Sequence, residues 1–112
     1  MNSFKQRAAM LLAFCAGLIG WASVATSSAG AADKAFGEYL ANECVACHLK
    51  SGRQVGGIPA IVGWPEDQFI AVMQAYRDGE RDNQVMRTIA GKFKGDEIAA
   101  LAAYFGSIKA PQ

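Results

Sequence analysis

The pentapeptide Cys44-Val45-Ala46-Cys47-His48 constrains the fold of this chain more than any other feature. Its pattern, C-x-x-C-H, is the attachment site of a c-type haem, in which each thiol bonds one vinyl group of the porphyrin. Two intervening residues place both sulfurs on one side of a helical turn, and the imidazole of His48 follows as an axial ligand of the iron. The sequence therefore predicts one covalently attached haem c, held by Cys44 and Cys47.

Two other interpretations of a C-x-x-C pair fit this chain less well. A thioredoxin-like redox pair accompanies a βαβ pattern, whereas the residues around Cys44 are rich in alanine and helical in character. A zinc site would need two further Cys or His ligands, and the chain offers only Cys15, in an apolar N-terminal run, and His48. Haem attachment is the favoured interpretation.

The N-terminal residues 1–31 have the pattern of a cleaved export signal. Lys5 and Arg7 form a positively charged region, residues 8–25 are apolar, and Ala29-Gly30-Ala31 offers the small residues of a cleavage site. We expect cleavage after Ala31, and a periplasmic location, because bacteria attach c-type haem outside the cytoplasmic membrane.

Two alternatives remain for this segment. Cleavage after Ala25 or Ala32 is less favoured, and an uncleaved anchor is conceivable because the apolar run reaches the lower length limit for crossing a bilayer. Gly17, Gly20 and Ser23 weaken the anchor interpretation.

The expected mature domain, residues 32–112, is small and nearly neutral. A core of about 81 residues is marginal on its own, and a haem would supply an apolar centre. Nine Lys or Arg residues face ten Asp or Glu residues in this range. The balance gives no signal for a nucleic-acid partner, and we expect no membrane span in the mature chain.

Apolar periodicity predicts an all-α fold, with three main helices wrapped around the haem. The first helix covers residues 33–47 and places Phe36, Leu40 and both cysteines on one face. The glycine-rich residues 49–63 form a loop.

The second helix opens at Pro65, which suits a first turn, and stops at Gly79. A single turn is expected over residues 86–90. The last helix covers residues 96–108, with a buried face that includes Leu101 and Phe105.

The second axial ligand cannot be a histidine, because His48 is the only histidine in the chain. A methionine, a lysine, an exogenous molecule or an open position are the alternatives. Met73 belongs to the apolar stripe of the second helix, where methionine is usually core filling. Met86 follows a polar stretch that gives no other reason to bury it. We therefore predict Met86, carried by a loop, as the iron ligand.

Taken together, the haem motif, the Gly56-Gly57-Ile58-Pro59 loop, Met86 and a terminal helix with Asp-Glu-Ile-Ala-Ala-Leu-Ala-Ala-Tyr-Phe resemble a class I c-type cytochrome. The resemblance covers about residues 35–108. With residues 76–81, Tyr-Arg-Asp-Gly-Glu-Arg, it extends to the cytochrome subunit of flavocytochrome c sulfide dehydrogenase and its short single-haem relatives.

The resemblance implies roles for particular residues. The carbonyl of Pro59 would accept a hydrogen bond from Nδ1 of His48, and Met86 would be the distal ligand. Two departures concern local geometry: Leu49 stands where a glycine often follows the histidine, and Gly95 replaces a serine cap. The first and last helices would cross through Gly37, Tyr39 and Leu40 on one side and Leu101, Tyr104 and Phe105 on the other.

The expected function is single-electron transfer, by a free carrier or by the haem subunit of a partner dehydrogenase such as a sulfide-oxidising flavoprotein. The alternative is an open-site haem enzyme or gas sensor, but the chain has no distal histidine to act as acid or base. We predict an electron carrier with no catalytic residues of its own. Basic residues near Met86 could steer an acidic partner, although a solvated loop is favoured for them: Arg77, Arg81, Arg87, Lys92 and Lys94.

Overall fold

The computed structural model describes residues 29–111, and only the backbone for residues 29–32. Most of the predicted leader, residues 1–31, lies outside this range, so its removal and the domain start at residue 32 stay predictions. In the described range, no helix is both long and apolar enough to cross a membrane.

The described chain is helical, as the sequence predicts. Three of its helices correspond to the three predicted main helices. Between residues 29 and 111 there is no strand, only an isolated bridge between Val55 and Ile58. The prediction of an all-α fold is confirmed. The five helices are α1 (Ala29–Leu40), α2 (Asn42–Val45), α3 (Glu66–Arg77), α4 (Gln84–Ala90) and α5 (Gly95–Ser107).

Two predicted elements are wrong in their bounds. The helix expected over residues 33–47 is interrupted at Ala41, where a turn separates α1 from α2. The single turn expected over residues 86–90 is part of a seven-residue helix, α4. Asn83 starts that helix, and asparagine is among the preferred residues at this position.

The contact between α1 and α5 centres on Gly37. A Cβ at Gly37 would overlap the carbonyl oxygen of Ala100 and would lie 2.8 Å from the Cβ of Tyr104. One turn later, Ala41 is also buried, whereas Phe36 and Tyr39 are 42% and 73% exposed. The face of α1 that packs on α5 is therefore made of small residues, and the predicted contribution of Tyr39 is wrong.

Helix α3 packs on the other side of α5. The rings of Phe69 and Phe105 stack with their centroids 5.8 Å apart, and Tyr104 meets Phe105 edge-on at 5.1 Å. Ile98, Leu101 and Phe105 are the largest fully buried side chains. The core thus forms around α5, which contacts both α1 and α3.

The ends of α3 and α5 follow from local hydrogen bonds. Gly79 adopts φ +79°, and the N–H of Glu80 donates to the carbonyl of Ala75 at 2.8 Å. This is a glycine stop of the Schellman type, so the predicted end of the second helix is confirmed. At α5 the carboxylate of Glu97 accepts from the N–H of Lys94 at 2.7 Å. Lys94 is the N-cap, and Gly95, expected in that role, is the first helical residue.

We predict that Gly37→Ala destabilises the protein by about 1–3 kcal/mol, because an added methyl group overpacks the contact with α5. Gly95→Ala is the matched control, since a Cβ there meets nothing within 4 Å. The free energy of unfolding, measured by denaturant titration with circular dichroism, checks both variants. In an exposed helix, alanine would stabilise relative to glycine, so a Gly37→Ala protein at least as stable as the parent would contradict the packing argument.

Candidate functional site

The residues of the C-x-x-C-H motif form a single hydrogen-bonded turn at the end of α2. The carbonyl of Cys44 accepts from the N–H of Cys47 at 3.1 Å and from the N–H of His48 at 2.9 Å. Cys44 is buried and Cys47 is exposed, and both are free cysteines. The backbone therefore fixes two thiols and an imidazole within one helical turn.

The environment of Cys44 disfavours the alternative of a reactive redox pair. Burial raises the pKa of the Cys44 thiol to about 11, and the negative charge of Glu43 is the smaller cause in the same direction. Reactive cysteines of redox motifs have lowered pKa values, because the thiolate is the nucleophile. A neutral sulfur, as in a thioether, suits this buried position better than a thiolate.

His48 is buried, and its ring is oriented by the loop that follows it. Nδ1 of His48 lies 2.7 Å from the carbonyl oxygen of Pro59. Because that oxygen can only accept, Nδ1 carries the proton, and the lone pair of Nε2 is available to a metal. Such a partner fixes the ring of a ligating histidine and raises its basicity. It is the contact that the family resemblance implies.

A tight turn places Pro59 in this position. Gly56 and Gly57 have φ angles of +55° and +81°, and the N–H of Ile58 donates to the carbonyl of Val55 at 3.0 Å. Two successive positive φ values define a type I′ turn, for which glycine is well suited. The glycine pair thus reverses the chain immediately before the residue that contacts His48.

An open cavity lies against the turn from Cys44 to His48, here called the attachment turn. Its empty space is about 930 Å³, a figure that includes open solvent at the mouth. Cys44, Cys47 and His48 line it together with an apolar set from the loop, α3 and α4. That set is Pro59, Ile61, Trp64, Phe69, Val72, Met73, Tyr76, Val85, Met86 and Ile89.

Both candidate methionines line this cavity, in different settings. Met73, in α3, is 4% exposed and belongs to the hydrophobic core, as predicted for a packing residue. Met86 is half-buried and lies in the first turn of α4, so the expectation of a loop-borne residue is wrong. The fold therefore brings Met86 to the same cavity as His48, but on a helix.

Polar residues that the sequence reasoning missed stand at the cavity wall. Glu43 and Asn83 line it, and Glu43 pairs with Lys92 at 2.8 Å, joining α2 to the segment after α4. Arg81 also lines the cavity, with its guanidinium 5.0 Å from the ring centroid of Tyr76. Asn83 could have been found from its position before a short helical pattern, whereas the Glu43–Lys92 contact joins distant segments and has no local signal.

Similar proteins are known for most of this chain, although no family model matches it. It is 35% identical to cytochrome c-554(548) of Halomonas halodenitrificans over 81 residues, which are 69% of this chain and 98% of that protein. It is 32% identical over 72 residues to the cytochrome subunit of sulfide dehydrogenase of Chlorobaculum tepidum, covering 64% of this chain and 66% of that protein.

A longer alignment joins the chain to the thiosulfate dehydrogenase electron acceptor of Thiomonas intermedia. The two are 28% identical over 111 residues, which are 97% of this chain. The chain spans about half the length of that relative, since the alignment covers 48% of it.

Proposed function

Because this chain belongs to the class I c-type cytochromes, we propose that it binds one haem c covalently and carries single electrons between redox proteins. One observation carries the proposal: Cys44, Cys47, His48 and Met86 line the same apolar cavity. Two thiols, an imidazole and a thioether are the donor set of a c-type haem with histidine and methionine as axial ligands.

The cavity residues fit that group. Cys44 and Cys47 would hold it by thioether bonds, and His48 and Met86 would ligate the iron. Arg81, which lines the cavity, would supply a positive charge for the haem carboxylates. When bound, the haem iron supplies the one-electron exchange between Fe(III) and Fe(II).

The chain contributes a fixed histidine ring and an apolar wall. Pro59 holds the ring of His48 by accepting a hydrogen bond from Nδ1, and Phe69, Met73 and Ile89 form part of the apolar wall of the cavity. A methionine ligand raises the reduction potential. With no second histidine in the chain to serve as a distal acid or base, this arrangement supports an electron carrier rather than an enzyme.

The proposed partner is a dehydrogenase in the periplasm that oxidises a reduced sulfur compound. The support is the description of two relatives, one the electron acceptor of a thiosulfate dehydrogenase and the other the cytochrome subunit of a sulfide dehydrogenase. The chain would act as the electron acceptor of such an enzyme, either diffusing freely or bound as a subunit.

We predict that Cys44→Ala or Cys47→Ala leaves a single thioether, whereas the double variant leaves haem extractable by acidified solvent. Without retained haem the chain should be largely unfolded, since so small a core depends on the ligand for its apolar centre. Intact mass and the pyridine haemochrome spectrum report attachment, and circular dichroism reports folding. A haem-free double variant that melts cooperatively would contradict the proposed dependence on haem.

We predict that Met86→Ala removes the charge-transfer band between the thioether and ferric iron, lowers the reduction potential and lets carbon monoxide bind. Met73→Ala is the matched variant from the same cavity. It should keep the band and lose about 2–5 kcal/mol of stability, the usual cost of truncating a buried methionine. Loss of the band in Met73→Ala and its survival in Met86→Ala would show that the ligand assignment is wrong.

Size-exclusion chromatography of a native extract, monitored by haem absorbance, distinguishes a free carrier from a bound subunit. A bound subunit co-elutes with a larger flavoprotein, and its internal electron transfer varies little with salt. A free carrier elutes as a small monomer, and its electron exchange slows as salt screens the charges that steer the encounter. Co-elution with a dehydrogenase would identify a bound subunit, and elution only at the mass of the mature chain would rule out a stable subunit.

A further inference from the structure

The helix that carries Met86 begins at a side-chain cap. The Oδ1 atom of Asn83 accepts a hydrogen bond from the N–H of Met86 at 3.0 Å. The carbonyl of Asn83 accepts the first helical hydrogen bond, from the N–H of Arg87 at 2.9 Å, while its own backbone is extended with φ −155° and ψ 110°. One asparagine thus starts the helix and holds the backbone of the proposed iron ligand.

Besides this cap, a small apolar contact with the core holds α4 in place. The helix has seven residues, a length at which an isolated helix is unstable in water. Only Ala90 of its residues is buried, and Met86 and Ile89 are half-buried. The ion pair of Lys92 with Glu43, just beyond its other end, is about half exposed on both sides, and such pairs stabilise weakly.

We propose that Asn83 is a positioning residue for Met86, which keeps the thioether over the iron by fixing the first turn of α4. The inference rests on the proposed function, in which Met86 is the axial ligand. Asn83 itself also lines the cavity, so the cap lies at the site that it would stabilise. Without the acceptor, the N–H of Met86 loses its partner and the first turn frays. The thioether then leaves the iron more often.

Imidazole binding to the ferric, haem-loaded protein measures how often the thioether of Met86 leaves the iron. Imidazole binds the sixth position only when Met86 has left it, so its apparent affinity rises with the fraction of protein in that state. Asn83→Ala should raise the apparent imidazole affinity about 2- to 30-fold, the range that corresponds to the loss of such a cap. Its charge-transfer band should be lost at correspondingly lower imidazole concentrations.

Two variants separate positioning from a general loss of stability. Asn83→Ser restores an acceptor at the cap and should bind imidazole as the parent protein does. Thr88→Ala removes a hydrogen bond of 2.9 Å from Thr88 Oγ1 to the carbonyl of Gln84 in the same helix. That variant keeps the cap on Met86, so its imidazole affinity should be unchanged.

The outcomes distinguish failure of the role of Asn83 from failure of the ligand assignment. The role of Asn83 would be overturned if Asn83→Ala bound imidazole with the affinity of the parent. It would also be overturned if Asn83→Ser or Thr88→Ala showed as large a rise in affinity as Asn83→Ala. In these cases tight imidazole binding by Met86→Ala would show that Met86 is still the ligand. If Met86→Ala binds imidazole no better than the parent, Met86 is not the ligand, and the proposed function loses its ligand assignment together with this inference.

Discussion

The close approach of α1 to α5 at Gly37 is the contact on which the rest of the structure depends. Gly37 lies so close to the backbone of Ala100 that no side chain fits between the first and last helices at this point. Helix α5 in turn packs α3 through the stacked rings of Phe105 and Phe69. The position of the attachment turn relative to the cavity wall therefore follows from a contact that contains no cofactor ligand.

The side of the cavity that carries His48 is fixed by short-range constraints. The carbonyl of Cys44 organises the turn that ends at His48, and the carbonyl of Pro59 holds the imidazole. The partners are separated by 3 to 11 residues, and three glycines with positive φ, Gly52, Gly56 and Gly57, lie in the intervening loop. The entropic cost of closing such short loops is low.

The side that carries Met86 is built differently. Helix α4 is short and mostly exposed, and it is restrained by one cap, a few half-buried side chains and an exposed ion pair. In the proposed carrier, the proximal ligand is tethered covalently and the distal ligand depends on weak local interactions. The distal side is therefore where ligand exchange and tuning of the reduction potential would begin.

The sequence predicted those features whose partners are close along the chain. The haem motif, the glycine-rich loop and the stop at Gly79 follow from chemistry within a few residues, and the apolar stripe of the second helix correctly identified Met73 as a buried residue. The roles of Cys44, Cys47, His48 and Met86 as haem residues stay predictions. The single turn predicted over residues 86–90 underestimated the length of α4, because its pattern is short and polar, although Asn83 was a usable start signal.

The tertiary structure decided which residues of α1 meet α5. Apolar periodicity selected Phe36 and Leu40, and the family resemblance implied Gly37, Tyr39 and Leu40, whereas the fold buries Gly37 and Ala41 and leaves Tyr39 exposed. Hydrophobicity measures what a side chain gains on burial, but the distance between two helices is set by the size of the residues at their contact. The sequence by itself thus predicted the attachment chemistry, because its pattern lies in neighbouring residues. Only the tertiary structure decided how the helices close around the cavity, because that depends on steric fit between segments more than 60 residues apart.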